Sequence, residues 1–225
     1  MSEPTRDPDN GPIFVVGMNG SGTTMLLDHL DNHSRIYGFK DETRILPYFM
    51  QRKNGNLDED DNLERLWNDM RCAFPFWKAN GEECVPLPDN WREAARTPAQ
   101  VFDCILSWFA AGARKEIWCE KTPMHALHIT EIGAALPSSR FIHIIRDGRD
   151  CAASFRRRWG YNAKVAVHQW KHTICTARQQ AESVGPNRYM EVRFEELTER
   201  PDEVFSEICR FLNVDFESRV LESSR

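Results

Sequence analysis

The sequence predicts an α/β fold, a single domain with a doubly wound parallel sheet that is flanked by helices. Short apolar runs, each as long as a buried strand, alternate with stretches of helical periodicity along the chain. The first run is followed at once by closely spaced glycines and a helix, which is typical of strand-to-helix turns in parallel sheets. The predicted strands are, in chain order, 13–16, 36–39, 117–119, 141–145 and 189–194.

The composition is that of a globular protein. Of the 225 residues, 41% are hydrophobic and 28% are charged, and no apolar run reaches the roughly 18 residues of a membrane span. Residues 1–11 are polar and contain proline, so we expect a disordered tail and not a signal peptide. One domain should then occupy residues 12–225, in a cytoplasmic protein.

The charges and the cysteines indicate which ligands the protein binds and which redox state its thiols have. The net charge is −5, which predicts no nucleic-acid partner, yet arginines cluster between residues 140 and 158, and an acidic average can hide a local anion site. The seven cysteines are odd in number and include no C-x-x-C pair. We therefore expect reduced, mostly buried thiols.

The segment 13–30, IFVVGMNGSGTTMLLDHL, predicts a buried strand, a glycine turn and a helix that begins at Thr23. Gly17, Gly20 and Gly22 let the backbone bend tightly and bring its N–H groups close to a ligand. The spacing Gly17-x-x-x-x-Gly22 is that of a Walker A phosphate loop, but Thr23 stands in the place of the lysine. The predicted sheet is therefore of the P-loop type, without the lysine that neutralises nucleoside triphosphates.

A ligand with less charge on its transferred group does not need that lysine. Sulfuryl carries one negative charge fewer than phosphoryl, and SGTT after a buried strand resembles the 5′-phosphosulfate loop of sulfotransferases that use 3′-phosphoadenosine 5′-phosphosulfate (PAPS). The resemblance implies that Gly20, Ser21, Gly22, Thr23 and Thr24 bind this cofactor. An ordinary glycine-rich turn is the alternative.

The middle of the chain predicts one ligand-facing loop and one insertion. The strand 36–39 delivers residues 40–44 to the carboxyl edge of the sheet, where open α/β sheets bind ligands. Residues 45–50 predict a helix and 54–61 an exposed loop. Residues 63–90 lack a clear period and predict a helical or irregular insertion, whose aromatic residues belong mostly to the core and otherwise to an acceptor pocket.

The second half repeats strands and helices. After a helix over 98–113, the strand 117–119 ends in Glu120-Lys121-Thr122-Pro123, and the strand 141–145 ends in Arg146-Asp147-Gly148-Arg149-Asp150. Further helices are predicted over 124–136, from the end of the turn 146–150 to about 158, and over 163–182 and 202–212.

The turn after the strand 141–145 strengthens the resemblance. A strand followed by RDGR, with a serine eight residues after the first arginine, resembles the 3′-phosphate site of sulfotransferases, with Arg146 and Ser154 in those positions. An arginine fork and a hydroxyl near a helix N-terminus suit a dianionic phosphate. The alternative is a surface ion pair of Arg146 with Asp147 or Asp150.

Within this family the chain is most similar to the tyrosylprotein sulfotransferase-like branch, through GSGTT, DETRILP, EKTP, IIRDGR and VRFEEL, over most of residues 12–214. The resemblance implies that Glu42 is the general base and that Lys121 faces the sulfuryl group and its leaving oxygen. The alternative for Glu42 is an ion pair with Arg44 or Lys40. His125, His128 and His143 are rival bases that are better explained as packing or surface histidines.

Three features depart from that branch. Gly20 replaces an arginine or lysine that stabilises the negative charge of the leaving phosphate. Lys121, Lys40 or Arg44 would have to substitute for this cation. Phe194 occupies the position of a tyrosine near the adenine, so it keeps a stacking face and loses a hydroxyl. The chain ends at Arg225, where relatives continue into a segment that closes over the cofactor, so we expect either a truncated chain or the absence of that lid.

Together these features predict a sulfotransferase that moves a sulfuryl group from PAPS to an acceptor hydroxyl without a metal. Two alternatives remain open, a P-loop nucleotide kinase and a catalytically impaired nucleotide-binding relative. The acceptor is a peptide tyrosine, a sugar, a lipid or a small phenol, and the sequence does not distinguish among these or predict the oligomeric state.

Overall fold

The computed structural model describes residues 11–160 and 162–222. In this part of the chain, five parallel strands form one sheet in the order β2-β3-β1-β4-β5. The strands are β1 (Ile13–Gly17), β2 (Ile36–Phe39), β3 (Ile117–Lys121), β4 (Arg140–Ile145) and β5 (Tyr189–Arg193). This architecture confirms the predicted fold class.

Eleven α-helices in the described residues connect and cover these strands. They are α1 (Thr23–Asp31), α2 (Leu46–Gln51), α3 (Asp60–Arg71), α4 (Phe74–Ala79), α5 (Trp91–Ala94), α6 (Pro98–Gly112), α7 (Ile129–Ala135), α8 (Gly148–Trp159), α9 (Ala163–Val184), α10 (Phe194–Glu199) and α11 (Pro201–Leu212). Two 3₁₀ helices span Pro123–Leu127 and Ser218–Leu221. No helix in the described ranges is long and apolar enough to cross a membrane.

Strand β1 lies in the middle of the sheet and is buried on both faces. Its alternate residues Phe14 and Val16 belong to one apolar cluster, which includes α6 and α7, while Ile13 and Val15 belong to another, which includes α1 and α11. Because successive side chains of a strand point to opposite faces, this division shows helices packed on both sides.

The helical or irregular insertion predicted over 63–90 is helical in α3 and α4. Leu63, Leu66, Trp67 and Met70 are all buried on α3, and their spacing of three and four residues is that of one helix face. Sequence analysis missed this period because aromatic residues and prolines surround it. Helix α3 begins at Asp60, so the exposed loop predicted over 54–61 is shorter than expected.

The expectation of reduced thiols is wrong for one pair, since Cys72 and Cys84 form a disulfide. This bond closes a loop that contains α4. The other five cysteines form no disulfide in the described part of the chain, and Cys119, Cys151 and Cys209 are buried. Helical packing brings the two bonded cysteines together across 12 residues of sequence, which their spacing alone did not indicate.

Several predicted boundaries shift. Strand β3 continues to Lys121, the helix predicted over 124–136 divides into a 3₁₀ helix and α7, and Phe194 opens α10 instead of ending a strand. Of the predicted tail, residues 1–10 lie outside the described residues, and Gly11 is buried against Ser138.

Candidate active site

The site residues predicted from the sequence lie at or just beyond the carboxyl ends of all five strands. Strand β1 pairs with β3 on one side and with β4 on the other. Strands β2 and β3 therefore lie on one side of β1 and strands β4 and β5 on the other, which makes β1 the switch point of the strand order. Lys121 lies opposite Val15, and Ile144, two residues before Arg146, lies opposite Gly17. Crevices at such switch points are where open parallel sheets bind ligands.

The phosphate loop depends on glycine at two positions. Gly20 and Gly22 have φ angles of 92° and 105°, which side chains disfavour. A Cβ on Gly22 would lie 2.5 Å from Cδ2 of Phe194, and a Cβ on Gly20 would lie 3.2 Å from Oγ of Ser154. The loop is therefore packed closely against residues that follow β4 and β5.

Hydrogen-bond donors are available in this loop. Helix α1 begins at Thr23 without a side-chain cap, so its first-turn N–H groups lack the partner that a capping residue provides. The Oγ of Ser21 is buried and has no hydrogen-bond partner among the described residues. Thr24 is exposed. Uncapped N–H groups at the positive end of a helix form an anion site.

The second corner is built around Arg146. Its guanidinium carbon lies 4.3 Å from the centre of the Phe194 ring, and Nη1 makes a long hydrogen bond of 3.4 Å to the carbonyl oxygen of Gly20. Its Nε is buried without a partner in the part of the chain described here. Ser154, on α8, is 7% exposed and lies beside Gly20. The two corners are therefore adjacent.

The surface ion pair considered for Arg146 is present in a weak form. Its Nη2 lies 3.6 Å from the carboxylate of Asp150, which is 59% exposed, and pairs of this kind contribute little to stability. Asp147 pairs instead with Arg149, at 2.7 Å. Arg146 therefore keeps donor capacity for an anion.

Glu42 lies between two cations. Nζ of Lys121 is 3.1 Å from its Oε1, and Nε of Arg44 donates to its Oε2 at 2.7 Å. Burial raises the pKa of Glu42, but the hydrogen bond from Arg44 and the charge of Lys121 outweigh it and lower the pKa below its ordinary value. The sequence prediction of an ion pair with Arg44 therefore holds together with a contact to Lys121.

The residues considered as replacements for the cation missing at Gly20 have different surroundings. Lys40 pairs with Asp28 and Asp31, at 3.1 and 2.8 Å, in the C-terminal half of α1. Arg44 and Lys121 pair with Glu42. Lys40 is thus held away from the loop, whereas the other two lie beside the proposed base.

The histidines occupy other environments. The Nδ1 of His125 lies 2.6 Å from the carboxylate of Glu120, and that of His128 lies 3.0 Å from Glu131. His143 is buried in β4, and burial lowers its pKa to about 4, so it is neutral at physiological pH. These environments agree with packing roles for His125 and His143 and a surface role for His128.

Sequence analysis missed two carboxylates. Glu120 is fully buried on β3, and Glu195 accepts a hydrogen bond of 2.8 Å from the backbone N–H of Asp147. Glu120 could have been recognised in the sequence, since it is a charged residue that continues an apolar strand. A buried charge in that place needs partners, because charges are rarely buried without them. Glu195 carried none, because its partner lies 48 residues away.

Comparisons with known proteins agree with this geometry. A model described as "Sulfotransferase family" matches residues 12–218. The protein-tyrosine sulfotransferase of Drosophila melanogaster is 24% identical and that of Gallus gallus (protein-tyrosine sulfotransferase 2) is 25% identical, each over 93% of this chain. The chain spans 39% of the first protein's length and 53% of the second's.

A solved structure shares the fold. The sulfotransferase domain of the Synechococcus PCC 7002 olefin synthase superimposes with a TM-score of 0.65 at 22% identity, covering 98% of this chain and 79% of that one. The match to the family model extends from the first strand to the final 3₁₀ helix. The chain therefore belongs to the sulfotransferase family, as its resemblance had predicted.

Proposed function

We propose that the protein is a sulfotransferase that moves a sulfuryl group from PAPS to an acceptor hydroxyl. The observation that carries this proposal is the meeting of two corners suited to anions, at Gly20–Thr24 and at Arg146, at the same sheet edge as the paired Glu42 and Lys121. Family membership supports it, as does Thr23 in the lysine position, which disfavours a P-loop kinase.

The residues present fit an anionic nucleotide. The Ser21 hydroxyl and the Arg146 Nε are buried polar atoms without partners among the described residues, and such groups are costly unless a ligand or water satisfies them. The loop from Gly20 to Thr24 would hold the 5′-phosphosulfate, and Arg146 with Ser154 would hold the 3′-phosphate. When bound, PAPS supplies the sulfuryl group on a phosphate leaving group.

Phe194 would contribute to both corners. The Arg146 guanidinium lies over its ring, and Gly22 leaves just enough space for the ring edge. A flat aromatic face also suits the predicted place beside adenine. Its position at the start of α10, directly after β5, puts the ring at the same sheet edge.

Glu42 is proposed to take the proton of the acceptor hydroxyl. The carboxylate is ionised at neutral pH, as a proton acceptor must be, and Arg44 and Lys121 lower its pKa and with it its basicity until an acceptor binds. Lys121 would stabilise negative charge that grows at the leaving oxygen. Because the same ammonium group contacts Glu42, Lys121 also orients the base.

The proposed acceptor is a peptide tyrosine, and the proposed location is the cytoplasm. The relatives are named for protein tyrosine, so a peptide tyrosine is the first acceptor to test, before a sugar, a lipid or a small phenol. The sequence predicts a cytoplasmic protein, whereas the Cys72–Cys84 disulfide is a bond more typical of proteins in oxidising compartments. Cell fractionation would decide between them.

Calorimetry followed by a transfer assay tests the proposal. We expect 3′,5′-diphosphoadenosine to bind at least about tenfold tighter than ADP or ATP without magnesium, because charge-assisted contacts to the 3′-phosphate contribute about 1.5–3 kcal/mol each. Radiolabelled sulfate should then move from PAPS to one of the four acceptor classes. Equal affinity for ATP would contradict the proposal, and tight binding without transfer would assign the chain to a non-catalytic relative.

A further inference from the structure

We propose that Glu120 is a positioning residue, whose buried carboxylate holds the two segments that carry Glu42 and Lys121 in register. This inference rests on the proposed function for the roles of those two residues. Among the described residues, the hydrogen bonds of Glu120 go to Thr43, Thr122 and His125 and not to the predicted cofactor loop. Glu120 acts through the hydroxyls of Thr43 and Thr122.

The carboxylate of Glu120 is completely buried near the end of β3 and accepts three hydrogen bonds. Oγ1 of Thr43 donates to Oε2 at 3.1 Å, and Oγ1 of Thr122 donates to the same oxygen at 2.9 Å. Nδ1 of His125 lies 2.6 Å from Oε1. Both oxygens of the carboxylate are therefore engaged.

These bonds reach the neighbours of both proposed catalytic residues. Thr43 follows Glu42 in the chain, and Thr122 follows Lys121. Thr122 also accepts a hydrogen bond of 3.3 Å from the backbone N–H of Arg44. The loop after β2 and the end of β3 are thus tied together within one residue of the 3.1 Å contact between Lys121 and Glu42.

The loop needs such a restraint. Arg44 has a φ of 54°, which is uncommon for a residue with a side chain and is retained when the surroundings enforce it. The Arg44 side chain is largely exposed and forms an ion pair with Glu42. A restraint on the backbone at residues 43 and 44 therefore sets the direction of the Glu42 carboxylate.

A carboxylate suits this position better than an amide. It accepts at both oxygens, so it can take two hydroxyl protons on one oxygen and an imidazole N–H on the other. Glutamine has a single acceptor oxygen, so its NH₂ group would face either the two hydroxyls, which would have to reverse and accept, or the imidazole N–H, which cannot accept. Glu120→Gln should therefore break part of the network while keeping the side-chain volume.

The test uses Glu120→Gln, Thr43→Val and Thr43→Ser in the full chain. Glu116→Gln is the matched control, since Glu116 precedes the same strand, is exposed and pairs with Arg35. We expect Glu120→Gln and Thr43→Val to lower kcat by about 10- to 100-fold with KM and 3′,5′-diphosphoadenosine affinity within about threefold. Thr43→Ser should recover most of the kcat that Thr43→Val loses.

A second measurement does not depend on turnover. Carbon-13 NMR of labelled glutamate side chains gives the pKa of Glu42, which Arg44 and Lys121 hold below its ordinary value in the native protein. In Glu120→Gln and Thr43→Val it should rise toward the ordinary value, while Glu116→Gln and Thr43→Ser leave it low. A purely structural role would lower stability without moving this pKa in the folded protein.

An unchanged Glu42 pKa and an unchanged kcat in Glu120→Gln would overturn the inference. If Glu120→Gln does not fold, Thr43→Val and Thr122→Val remove the same bonds from the donor side, and the same outcomes apply. A native protein that transfers no sulfate would refute the proposed function, whereas the pKa comparison would still decide the role of Glu120.

Discussion

Replacing Gly22 with alanine tests the close packing of the phosphate loop. Two costs are expected. The φ of 105° is strained for any residue with a Cβ, and strain of this kind costs about 1–2 kcal/mol. The new methyl would also lie 2.5 Å from Phe194 and 3.2 Å from Ile144, and overpacking of this degree costs about 1–3 kcal/mol. The free energy of unfolding should fall by about 2–5 kcal/mol.

Two control glycines separate these costs. Gly81 has a φ of 69° with nothing near its missing side chain, and Gly112, the last residue of α6, has open space and no positive φ. Gly81→Ala should therefore cost about 1–2 kcal/mol, and Gly112→Ala should be neutral or slightly stabilising. The difference between Gly22→Ala and Gly81→Ala measures the steric cost alone.

The assay is urea denaturation, with calorimetric binding of 3′,5′-diphosphoadenosine on the folded variants. Gly22→Ala should also weaken this binding at least about tenfold, because the loop backbone must move away from Phe194. In a Phe194→Ala background the cost of Gly22→Ala should fall toward the strain cost, with only the 3.2 Å contact to Ile144 left, as a double-mutant cycle would show. If Gly22→Ala costs no more than Gly81→Ala, Phe194 does not pack against the loop and the reasoning fails.

Three further predictions concern charge and proton transfer. Arg146→Ala should abolish the preference for 3′,5′-diphosphoadenosine over ADP, because one charge-assisted contact to the 3′-phosphate is worth about 10- to 150-fold in affinity. If calorimetry shows that the preference is intact, the second corner is misassigned. Glu42→Gln should lower turnover by about 10²–10⁴ with cofactor affinity within about threefold; near-native transfer to a verified acceptor would place the base elsewhere, with His125 next. His143 has a pKa of about 4 in the folded protein, against 6.5 for the free side chain. Between these values the unfolded state binds more protons than the folded state, so the free energy of unfolding decreases as the pH falls from 6.5 to 4, by about 3 kcal/mol in all. Denaturation of His143→Gln should lack this acid dependence, and an identical pH profile would disprove the assignment.

Local patterns in the sequence were sufficient for the sheet strands and for both corners. The strand, glycines and helix around Gly22 are consecutive in the chain, and Arg146 directly follows an apolar strand, so both corners depend on short-range signals. The contact between Glu42 and Lys121 was not visible in the same way. It joins residues 79 positions apart, and only the family resemblance put the two in one site.

Other features lay beyond the sequence because they depend on tertiary packing. The strand order requires pairings between distant segments, which periodicity does not encode. The Cys72–Cys84 bond depends on the packing of α3 and the segment after α4, and spacing of cysteines alone predicts connectivity poorly. The buried network of Glu120 was missed because a strand predicted to end at Cys119 left Glu120 in a turn, where a carboxylate needs no partner.

The central position of β1 also determines when the site forms during folding. Ile13 lies opposite Cys119 and Arg140, so both edges of β1 stay open during synthesis until roughly a hundred or more further residues follow. Closing such long loops is entropically costly and slow. The strands that finally cover β1 are the ones that deliver Lys121 and Arg146. Assembly of the sheet and of the proposed nucleotide pocket is thus coupled, and a nucleotide that binds there would stabilise only chains that have completed both.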